Sequence, residues 1–451
     1  MEKKYYIKTY GCQMNDLDGM QMGRLLARQG YAATQDPDEA HVILINTCSV
    51  REKASQKVYS DVGRFRSLKL KHPDLVLGVT GCQAQAEGAY LQKRFPYLDL
   101  VIGPDHTAKL PELVDSVVTK QAKIAKVGFE KPQDYEFVNL LPDEDESHVK
   151  AFITIMKGCD NFCSFCVVPY VRGREVCRSP EEIVAEAKEL AARGTREVML
   201  LGQNVNSYGV GRHAEESLKN KNPHPMISFA ALLQRVADET EIARIRFTTS
   251  HPKDLSEELI EQFANNAKLA KSFHLPVQSG SDAVLERMYR GYTRVEYLDR
   301  LDRLRRACPD LAISTDIIVG FPGESEEDFQ ETLDLLEQLR YDSIFSFVYS
   351  PRPKTTAALY FEDDIPLEVK QERLQRLQSL QNRITLEKNQ EKVGEILEVL
   401  VEGPSRQGES YFGKSSQNHT VHFEASEDDV GSILKLKIIY AGPNSLIGEK
   451  L

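Results

Sequence analysis

The chain has 451 residues, enough for about three domains, and its formal net charge is −11, from 57 basic and 68 acidic residues. This balance excludes nucleic-acid binding through overall positive charge, although it is compatible with a local basic patch. The first residues lack the apolar region of a secretory signal, and no apolar run approaches the roughly 18 residues of a membrane span. We therefore expect a soluble, cytoplasmic protein with no membrane contact.

Residues 3–118 are predicted to form an open parallel α/β domain. Short apolar segments alternate with helical ones, and strands are expected at "KYYIKTYGC", "HVILINTC", "LVLGVTGC" and "LDLVIG". Cys12, Cys48 and Cys82 each follow the C-terminal end of one of the first three strands. Ligands bind at this edge of open α/β sheets, so the three thiols are predicted to form one ligand set. The alternative is three ordinary buried cysteines.

A linker is expected over residues 121–147, and a second βα series fills a central domain over residues 145–375. Its strands are expected at "KAFITIMKG", "EVMLLGQ", "ARIRFTTSHP", "SFHLPVQSG", "LAISTDIIVGFPG" and "SIFSFVYSP". Six βα repeats are too few for a closed eight-stranded barrel and fit a partial (β/α)6 barrel that is open on one side. The sequence is polar just beyond these strands, where the active sites of such barrels lie.

The last part of the chain changes character. A helix is expected over residues 367–392, and short strands broken by Gly, Pro and Ser continue to the end of a third domain over residues 378–446. This pattern predicts a small antiparallel β-barrel. The expected fold is therefore α/β, with an N-terminal open parallel domain, a central partial (β/α)6 barrel and a C-terminal small antiparallel β-barrel.

The segment "GCDNFCSFCVVPY", residues 158–170, contains Cys159, Cys163 and Cys166. In a reducing cytosol such cysteines are metal-binding or catalytic more often than disulfide-bonded. Thiolates select zinc, copper(I) or iron–sulfur clusters. A structural zinc site needs a fourth ligand, for which Cys177 is the candidate in the neighbouring sequence. A thioredoxin-like use of "CSFC" is disfavoured by the additional Cys159 and by the absence of a helix start at the pair.

A C-x3-C-x2-C loop after the first strand of a partial βα barrel resembles the motif of the radical S-adenosylmethionine superfamily. The resemblance implies a 4Fe–4S cluster on Cys159, Cys163 and Cys166, whose remaining iron binds S-adenosylmethionine for cleavage to a 5′-deoxyadenosyl radical. It also implies that Phe165 packs on the adenine of the cofactor. Polar residues near later strand ends are further candidates for cofactor contacts, with a purely structural role as the alternative for each: Gln203, Asn204, Gln278, Ser279 and Asp316.

The order of a three-cysteine domain, a radical domain and a small β-barrel resembles the methylthiotransferases over essentially the whole chain. Four segments resemble the MiaB type, which acts on isopentenylated adenosine in tRNA: "KTYGCQMN" (8–15), "NTCSVREKA" (46–54), "HLPVQSGSDAVLERMYRGYTR" (274–294) and "DIIVGFPGE" (316–324). Two positions depart from the family pattern. Lys354 stands where the family more often has Gly, and Cys177 stands where a small polar residue is expected.

This resemblance implies a second 4Fe–4S cluster on Cys12, Cys48 and Cys82, and it implies that all six cysteines are catalytic. The implied reaction is methylthiolation of C2 of N6-isopentenyladenosine next to the anticodon, with one S-adenosylmethionine as methyl donor and a second as radical source. The implied partners are a tRNA anticodon stem-loop carrying that base, an electron donor such as flavodoxin or ferredoxin, and a sulfur donor.

Several alternatives stay open. The chain could instead resemble the methylthiotransferases for threonylcarbamoyladenosine in tRNA or for an aspartate of a ribosomal protein. Outside this class, the alternatives are an iron–sulfur electron-transfer or cluster-carrier protein and a zinc-containing RNA-binding protein.

The C-terminal barrel resembles the TRAM module, for which RNA binding is the expectation. The candidate contacts there are Arg406, Lys414, His419 and His422. Two richer basic runs lie elsewhere: Lys57, Arg64, Arg66, Lys69 and Lys71 in the first, and Arg287, Arg290, Arg294, Arg300, Arg303, Arg305 and Arg306 in the second. Solvated helix faces with ion pairs are the alternative for both runs. The candidates for packing against the target base are Tyr10, Tyr170, Tyr208 and Phe321.

Overall fold

The computed structural model describes residues 2–49, 52–142, 148–210, 226–405, 408 and 410–451. The chain divides into two compact units, which are described separately. The first unit consists of Met1–Asp143, Met156–Phe162 and Cys166–Arg178, and the second consists of Glu144–Ile155, Cys163–Phe165 and Ser179–Leu451. The division into domains over residues 3–118, 145–375 and 378–446 stays a prediction.

The first unit contains a six-stranded parallel sheet in the order β2-β1-β3-β4-β5-β6. Its strands are β1 (Lys3–Tyr10), β2 (Tyr31–Ala33), β3 (Val42–Thr47), β4 (Val76–Gly81), β5 (Leu100–Ile102) and β6 (Ile124–Lys126). Its helices are α1 (Gln13–Arg28), α2 (Glu52–Arg64), α3 (Arg66–Lys71), α4 (Cys82–Glu87), α5 (Ala89–Arg94), α6 (Leu110–Lys120) and α7 (Val168–Val171).

Strand β3 shows why this sheet forms, because every one of its residues is buried. Ile43 and Ile45 pack into the hydrophobic core on one face of the sheet, while Val42 and Leu44 pack into the core on the other face. A strand covered on both faces reads as a continuous apolar run, which is typical of parallel sheets.

The linker prediction over residues 121–147 is wrong for its first part. Strand β6 pairs in parallel with β5 and extends the sheet, a short strand that apolar patterning did not reveal. Further along, the carbonyl of Leu140 accepts hydrogen bonds from Gln21 at 3.2 Å and Arg24 at 2.5 Å. This segment is therefore anchored to α1.

The second unit begins with two three-stranded parallel sheets, β11-β10-β7 and β12-β13-β14. A single bridge between Ile245 and Leu269 and a second one between Gln278 and Ile317 extend the pairing beyond the regular strands. The strands are β7 (Lys150–Thr154), β10 (Glu197–Leu201), β11 (Arg244–Phe247), β12 (Ser272–His274), β13 (Ala312–Val319) and β14 (Ser343–Val348). The predicted six βα strands are all present, and the predicted fold class is confirmed.

Helices follow these strands, and a closed barrel of five strands in the order β15-β16-β17-β19-β18 ends the chain. The helices are α8 (Pro180–Ala192), α9 (Phe229–Glu239), α10 (Glu257–Asn265), α11 (Asp282–Arg287), α12 (Arg294–Ala307), α13 (Glu326–Leu339), α14 (Thr356–Tyr360) and α15 (Leu367–Glu391). The barrel strands are β15 (Ile396–Pro404), β16 (Tyr411–Ser415), β17 (Thr420–Phe423), β18 (Ile433–Ala441) and β19 (Leu446–Lys450). Strands β17 and β19 pair in parallel, and the other pairs in the barrel are antiparallel.

The barrel packs against the N-terminal ends of the parallel strands in the second unit. Arg246 on β11 donates to the carbonyl oxygens of Ser415 at 2.6 Å and Ser416 at 3.0 Å, and to the Glu197 carboxylate at 2.9 Å. Arg244, the first residue of β11, donates to the carbonyl of Lys414 at 2.7 Å. Parallel sheets bind their ligands at the C-terminal ends of the strands. The barrel lies at the opposite end, so it leaves that edge uncovered.

Within the described ranges, every helix is too short or too polar to cross a bilayer.

Candidate active site

The first cysteine set lies at the C-terminal ends of three neighbouring strands in the first unit. Tyr10 on β1 lies opposite Thr47 on β3, and Thr47 lies opposite Gly81 on β4. Cys48 and Cys82 directly follow their strands, and Cys12 follows β1 after one residue. The Cys12 thiol donates to Oδ1 of Asn15 at 3.3 Å, and Gly11 lies so close to Cys48 that a Cβ on it would be 2.4 Å from the Cβ of Cys48. Cys12 in turn is close enough to Cys82 to affect the pKa of that thiol. The structure therefore brings the three predicted thiols together.

Two asparagines and a glycine hold these strand ends together. Asn46 donates to the carbonyl of Asn15 at 2.7 Å, and the amide of Asn15 donates to Oδ1 of Asn46 at 3.3 Å. Gly81 has φ +83°, and a Cβ there would lie 2.5 Å from Oδ1 of Asn46. Only glycine fits this position, because any other residue would be strained in this left-handed conformation and its Cβ would clash with Asn46.

The three thiols differ in exposure and in acidity. Cys12 is exposed, whereas Cys48 and Cys82 are buried. A hydrogen bond with Cys48 and the positive charge of Arg172 lower the pKa of Cys12 to about 6. Desolvation acts in the opposite direction and raises this pKa, but its effect is smaller than that of the Cys48 hydrogen bond. Burial raises the pKa of Cys82, and the Arg172 guanidinium opposes this rise.

Arg172 binds the sulfur of Cys82 directly. Its Nε donates to Cys82 Sγ at 3.1 Å, and its Nη2 donates to the Asp18 carboxylate on α1 at 2.6 Å. Val167 and Val171 pack against Cys82 from the same stretch of chain. Arg172 lies six residues after Cys166, so one short segment of the first unit contains a candidate ligand of the second set and contacts a sulfur of the first.

The start of the second cysteine set is shaped by a hairpin in the first unit. Strands β8 (Met156–Lys157) and β9 (Val176–Cys177) pair antiparallel around the loop that contains Cys159. Gly158 has φ +79°, and a Cβ there would lie 2.1 Å from the carbonyl oxygen of Arg174. The backbone N–H of Cys159 donates to the carbonyl of Gly173 at 3.2 Å. This close backbone approach sets the direction in which the cysteine loop leaves the hairpin.

Cys163 belongs to the second unit, where two buried side chains face its sulfur. Arg290 Nη1 donates to Cys163 Sγ at 3.3 Å, and His251 Nε2 lies 3.8 Å from the same atom. Nδ1 of His251 accepts from the backbone of Lys253 at 3.2 Å, so the neutral ring carries its proton on Nε2, which faces the sulfur. Burial lowers the pKa of His251, which keeps the ring neutral.

Sequence reasoning missed Arg172, His251 and Asn206, which holds the backbone of His251, and it considered Arg290 only as a possible RNA contact. The Asn206 amide accepts from His251 N–H at 3.0 Å and donates to the His251 carbonyl at 2.8 Å. The available signal was the position of His251 just beyond the strand "ARIRFTTSHP", the same placement that identified the other candidates.

The predicted cofactor contacts fall into different environments. Phe165 is half-buried and meets Phe321 edge-on, with ring centroids 6.5 Å apart. Gln203 is half-buried beyond β10. Asn204 is 2% exposed, and its Nδ2 donates to Asp254 at 2.8 Å, while its buried Oδ1 has no hydrogen-bond partner among the described residues. That orphaned oxygen is an available acceptor beside the strand end.

The other three candidates are more tightly held. The backbone of Gln278 pairs with β13, and its φ is +78°. The buried hydroxyl of Ser279 lies 3.4 Å from that of Thr332 and accepts from the Ser281 backbone at 3.2 Å, so it is engaged in structural contacts. Asp316 lies within β13 rather than beyond it, and its carboxylate is 3.4 Å from His274 Nε2.

An exposed aromatic pair lies on the same sheet face as Asp316. Ser346 on β14 accepts a hydrogen bond from Gln378 on α15 at 3.2 Å, so it faces the covering helix. Side chains alternate along a strand, and Phe345 and Phe347 therefore point to the opposite face. They are 51% and 37% exposed, and Phe345 meets His274 edge-on at 5.7 Å. Sequence reasoning missed these residues because an apolar strand residue gives no sign of being uncovered.

Several predicted RNA contacts are turned inward. Lys414 donates to Asn418 and Thr420 within the barrel, and its own carbonyl is bound by Arg244. Burial lowers the pKa of Lys414 and of His419. Both residues face the contact between the barrel and the parallel strands, which disfavours them as RNA contacts. His422 is half-buried, and Arg406 lies outside the described residues.

The two basic runs are also largely committed to internal contacts. Arg290 is buried against Cys163, and Arg306 pairs with Asp302 one helical turn away. Lys69 pairs with Asp99 at 2.8 Å in the first run. The alternative of helix faces with internal ion pairs therefore describes these residues better than phosphate binding.

Among the aromatic candidates for base packing, Tyr208 and Phe321 are 0% exposed, which makes that prediction wrong for both. Tyr10 donates to Asp61 at 2.5 Å, and Tyr170 meets Phe162 edge-on at 6.4 Å. These two remain half-buried.

Two unusual positions in the sequence have clear structural settings. Lys354 adopts φ +71°, a left-handed conformation that favours glycine, so the backbone at this residue is strained. Cys177 pairs with Met156 in the β8–β9 hairpin.

Comparison with known families divides the chain into three parts. Residues 4–103 match the uncharacterized protein family UPF0004, residues 153–336 match the radical SAM superfamily, and residues 390–451 match the TRAM domain.

Comparison with curated proteins finds relatives along the whole chain. The chain is 48% identical over 452 residues to the tRNA-2-methylthio-N(6)-dimethylallyladenosine synthase of Myxococcus xanthus, covering 100% of this chain and 94% of that protein. It is 49% identical over 449 residues to the enzyme of the same name from Geotalea uraniireducens, covering 99% of both chains. A synthase of that name from Clostridium botulinum is 43% identical over 451 residues, with 99% of this chain and 97% of the relative covered.

Solved structures share the fold at low sequence identity. A radical S-adenosylmethionine methyltransferase, TsrM, from Kitasatospora setae matches with a TM-score of 0.54 and 18% identity, covering 80% of this chain and 77% of that one. The cobalamin-dependent S-adenosylmethionine radical enzyme OxsB matches with a TM-score of 0.51 and 12% identity, covering 84% and 56%. These two likenesses concern the fold alone.

Proposed function

The chain belongs to the family of the tRNA-2-methylthio-N(6)-dimethylallyladenosine synthases, and from this premise we propose that it methylthiolates C2 of N6-isopentenyladenosine next to the anticodon in tRNA. The observation that carries the proposal is the presence of two three-cysteine sets in a chain that is 43–49% identical to such synthases over its full length. A single cluster-carrying loop would fit many radical enzymes, whereas the second set is what a second use of iron and sulfur would need.

We propose that Cys159, Cys163 and Cys166 hold one 4Fe–4S cluster, and that Cys12, Cys48 and Cys82 hold another. Each set provides only three thiolates, which leaves one iron of a cluster open. Across the described ranges, no three His, Cys, Asp or Glu side chains lie close enough together to hold a single metal ion. A cluster is compatible with that spacing because each of its ligands binds a different iron, and the hydrogen-bond donors at Cys82 and Cys163 suit thiolates.

S-adenosylmethionine is proposed to bind beyond the strand ends of the second unit. The orphaned Oδ1 of Asn204 is a buried acceptor suited to a polar cofactor, and half-buried Phe165 offers an aromatic surface for adenine. When bound, the clusters and the cofactor supply radical cleavage of an inert aromatic C–H bond together with a sulfur atom and a methyl group.

The protein's own task is then to position the base. We propose that the dimethylallyl group of the substrate packs on Phe345 and Phe347, because an exposed apolar pair suits a small branched hydrocarbon. The polar His274 and Asp316 on the same face are then available to the heterocycle. This arrangement favours the dimethylallyl substrate over threonylcarbamoyladenosine, whose side chain is polar and charged.

The proposed partners are a tRNA anticodon stem-loop, an electron donor such as flavodoxin or ferredoxin, and a sulfur donor. RNA binding by the C-terminal barrel is supported by the match to the TRAM domain. Because Lys414 and His419 are turned toward the parallel strands, we propose that RNA contacts a different face of the barrel.

The test is anaerobic iron and sulfide reconstitution, followed by incubation with S-adenosylmethionine, a reductant and tRNA that carries N6-isopentenyladenosine. Mass analysis of the nucleosides should find hydrogen replaced by a methylthio group. Parallel reactions with tRNA carrying threonylcarbamoyladenosine, and with ribosomal protein, should give no product. Methylthiolation of either of those substrates alone would identify the alternative enzymes, and an absence of 5′-deoxyadenosine would favour an electron-transfer or cluster-carrier protein.

Two variants give matched controls. Cys163→Ala should abolish both 5′-deoxyadenosine and the nucleoside product. Cys82→Ala should retain 5′-deoxyadenosine and lose only the methylthio product. Equal loss in both variants would contradict the division of work between the two sets.

A further inference from the structure

Each cysteine set has one sulfur that accepts a hydrogen bond from a buried arginine. Arg172 Nε lies 3.1 Å from Cys82 Sγ, and Arg290 Nη1 lies 3.3 Å from Cys163 Sγ. The two arginines are 6% and 5% exposed. Arginine is rarely buried to this extent unless its charge is compensated, so each position calls for a nearby anion.

Arg172 already has a carboxylate partner. Its Nη2 lies 2.6 Å from Oδ2 of Asp18, while its Nε faces the sulfur. The guanidinium is thus held in a fixed direction by α1, and much of its charge is balanced by Asp18.

Arg290 has a different environment. Its Nη2 donates to the carbonyl of Pro276 at 2.7 Å, and its Nε donates to the hydroxyl of Tyr292 at 3.0 Å. Both partners are neutral, and within the described residues no carboxylate forms an ion pair with Arg290. Among the described residues that Arg290 contacts, Cys163 is the one that would become an anion on binding iron, and its thiolate would then compensate much of the arginine's charge.

We propose that Arg172 and Arg290 are positioning residues that each stabilise the reduced state of one cluster, Arg172 at the N-terminal set and Arg290 at the radical set. The proposal rests on the function proposed above. A cluster held by thiolates becomes more negative when it accepts an electron, and donors to its sulfurs raise its reduction potential. Because Asp18 balances Arg172, while among the described residues no carboxylate pairs with Arg290, the larger effect belongs to Arg290.

The test separates the two clusters before it changes the arginines. One background carries Cys159→Ala, Cys163→Ala and Cys166→Ala, and the other carries Cys12→Ala, Cys48→Ala and Cys82→Ala. Arg172→Gln and Arg290→Gln are introduced into each full-length background. The midpoint potential of the remaining cluster is measured by dithionite titration followed by electron paramagnetic resonance, with iron counted per chain.

Arg172→Gln should shift the midpoint potential to a more negative value only in the background that retains the N-terminal set. Arg290→Gln should do so only in the background that retains the radical set, and its shift should be the larger one. Each substitution is the other's control. Lysine at either position should restore part of the shift, because it returns a positive donor with poorer geometry.

Two outcomes would overturn the proposal. In the first, iron is retained and neither glutamine variant changes the midpoint potential in either background. In the second, each glutamine variant shifts the midpoint potential equally in both backgrounds. A glutamine variant that loses iron while its lysine variant retains it supports the role at the sulfur. Iron lost from both variants with the fold retained by circular dichroism overturns it. Where a glutamine variant does not fold, the lysine variant and, for Arg172, the Asp18→Asn variant take its place. A shift in the midpoint potential of the adjacent cluster then supports the proposal, and an unchanged potential overturns it. Failure of both unmodified backgrounds to bind iron would instead contradict the proposed function.

Discussion

Replacement of Gly11 by alanine tests whether the first cysteine set depends on the close approach of its strand ends. Gly11 has φ +137°, and a Cβ there would lie 2.4 Å from the Cβ of Cys48. Two carbon atoms in contact need roughly 3.5 Å, so Cys48 would have to move by about 1 Å. The backbone strain costs roughly 1–2 kcal/mol and the overpacking about 1–3 kcal/mol, a total of about 2–5 kcal/mol.

We expect Gly11→Ala to reduce iron at the N-terminal set more than it reduces overall stability. Metal ligands must be held within about 0.5 Å of their working positions, which is less than the movement that alanine imposes on Cys48. The assay is iron content and visible absorption after reconstitution in the background that lacks Cys159, Cys163 and Cys166, together with the melting temperature.

Gly30→Ala is the matched control. Gly30 also has a left-handed backbone, with φ +83°, but no atom lies within 4 Å of the added Cβ. It should therefore lower the melting temperature slightly and leave iron uptake unchanged. A Gly11→Ala variant that binds as much iron as Gly30→Ala would refute the reasoning that the glycine is needed to place Cys48.

Three further predictions concern other parts of the chain. Burial raises the pKa of the Cys308 thiol to about 11, so Cys308 should resist iodoacetamide in the folded protein at neutral pH. Since its folded pKa lies above its unfolded value, Cys308 should contribute to a fall in the free energy of unfolding as the pH rises from about 9 to about 11, and Cys308→Ala should make that fall smaller without loss of activity. Phe347→Ser should raise the KM for dimethylallylated tRNA by about tenfold, or roughly 1.4 kcal/mol, whereas Phe347→Leu should stay near the unmodified protein and tRNA lacking the dimethylallyl group should bind equally to all three; equal weakening for both tRNAs would contradict the assignment. Arg246→Ala leaves the buried Glu197 carboxylate without its nearest partner and should cost about 3–5 kcal/mol in thermal or denaturant unfolding, while Lys271→Ala, which breaks an exposed pair with Asp310, should cost less than about 1 kcal/mol; similar losses in the two variants would show that the barrel contact does not depend on Arg246.

The cysteine positions could be predicted from the sequence because they follow from local pattern and parallel topology. Cys12, Cys48 and Cys82 each follow an apolar strand, and the C-terminal ends of neighbouring parallel strands meet at one edge. The structure brings these thiols together without any contribution from sequence spacing, since they lie far apart in the chain.

The arginines at the sulfurs could not be predicted in the same way. Arg172 is separated from Cys82 by 90 residues and Arg290 from Cys163 by 127 residues, so no local spacing connects them. Arg290 also stands in a basic run whose composition indicates a solvated face. The tertiary structure shows that Arg290 is buried and donates to Cys163.

The direction in which a side chain points was the other property that could not be predicted from the sequence. Lys414 and His419 have the composition expected of RNA contacts, yet the barrel presents them to the start of the parallel strands. Phe345 and Phe347 have the composition expected of core residues, yet the sheet leaves them exposed. In both cases the answer depends on which neighbouring element covers the residue, and that is a property of the tertiary fold.

Iron and acid-labile sulfide counted per chain, after anaerobic reconstitution, test the two-cluster account most directly. The unmodified protein should contain about eight iron atoms, and each background that lacks one cysteine set should contain about four. About four iron atoms in the unmodified protein, with none in one of the two backgrounds, would show that only a single cluster is bound and would contradict the account.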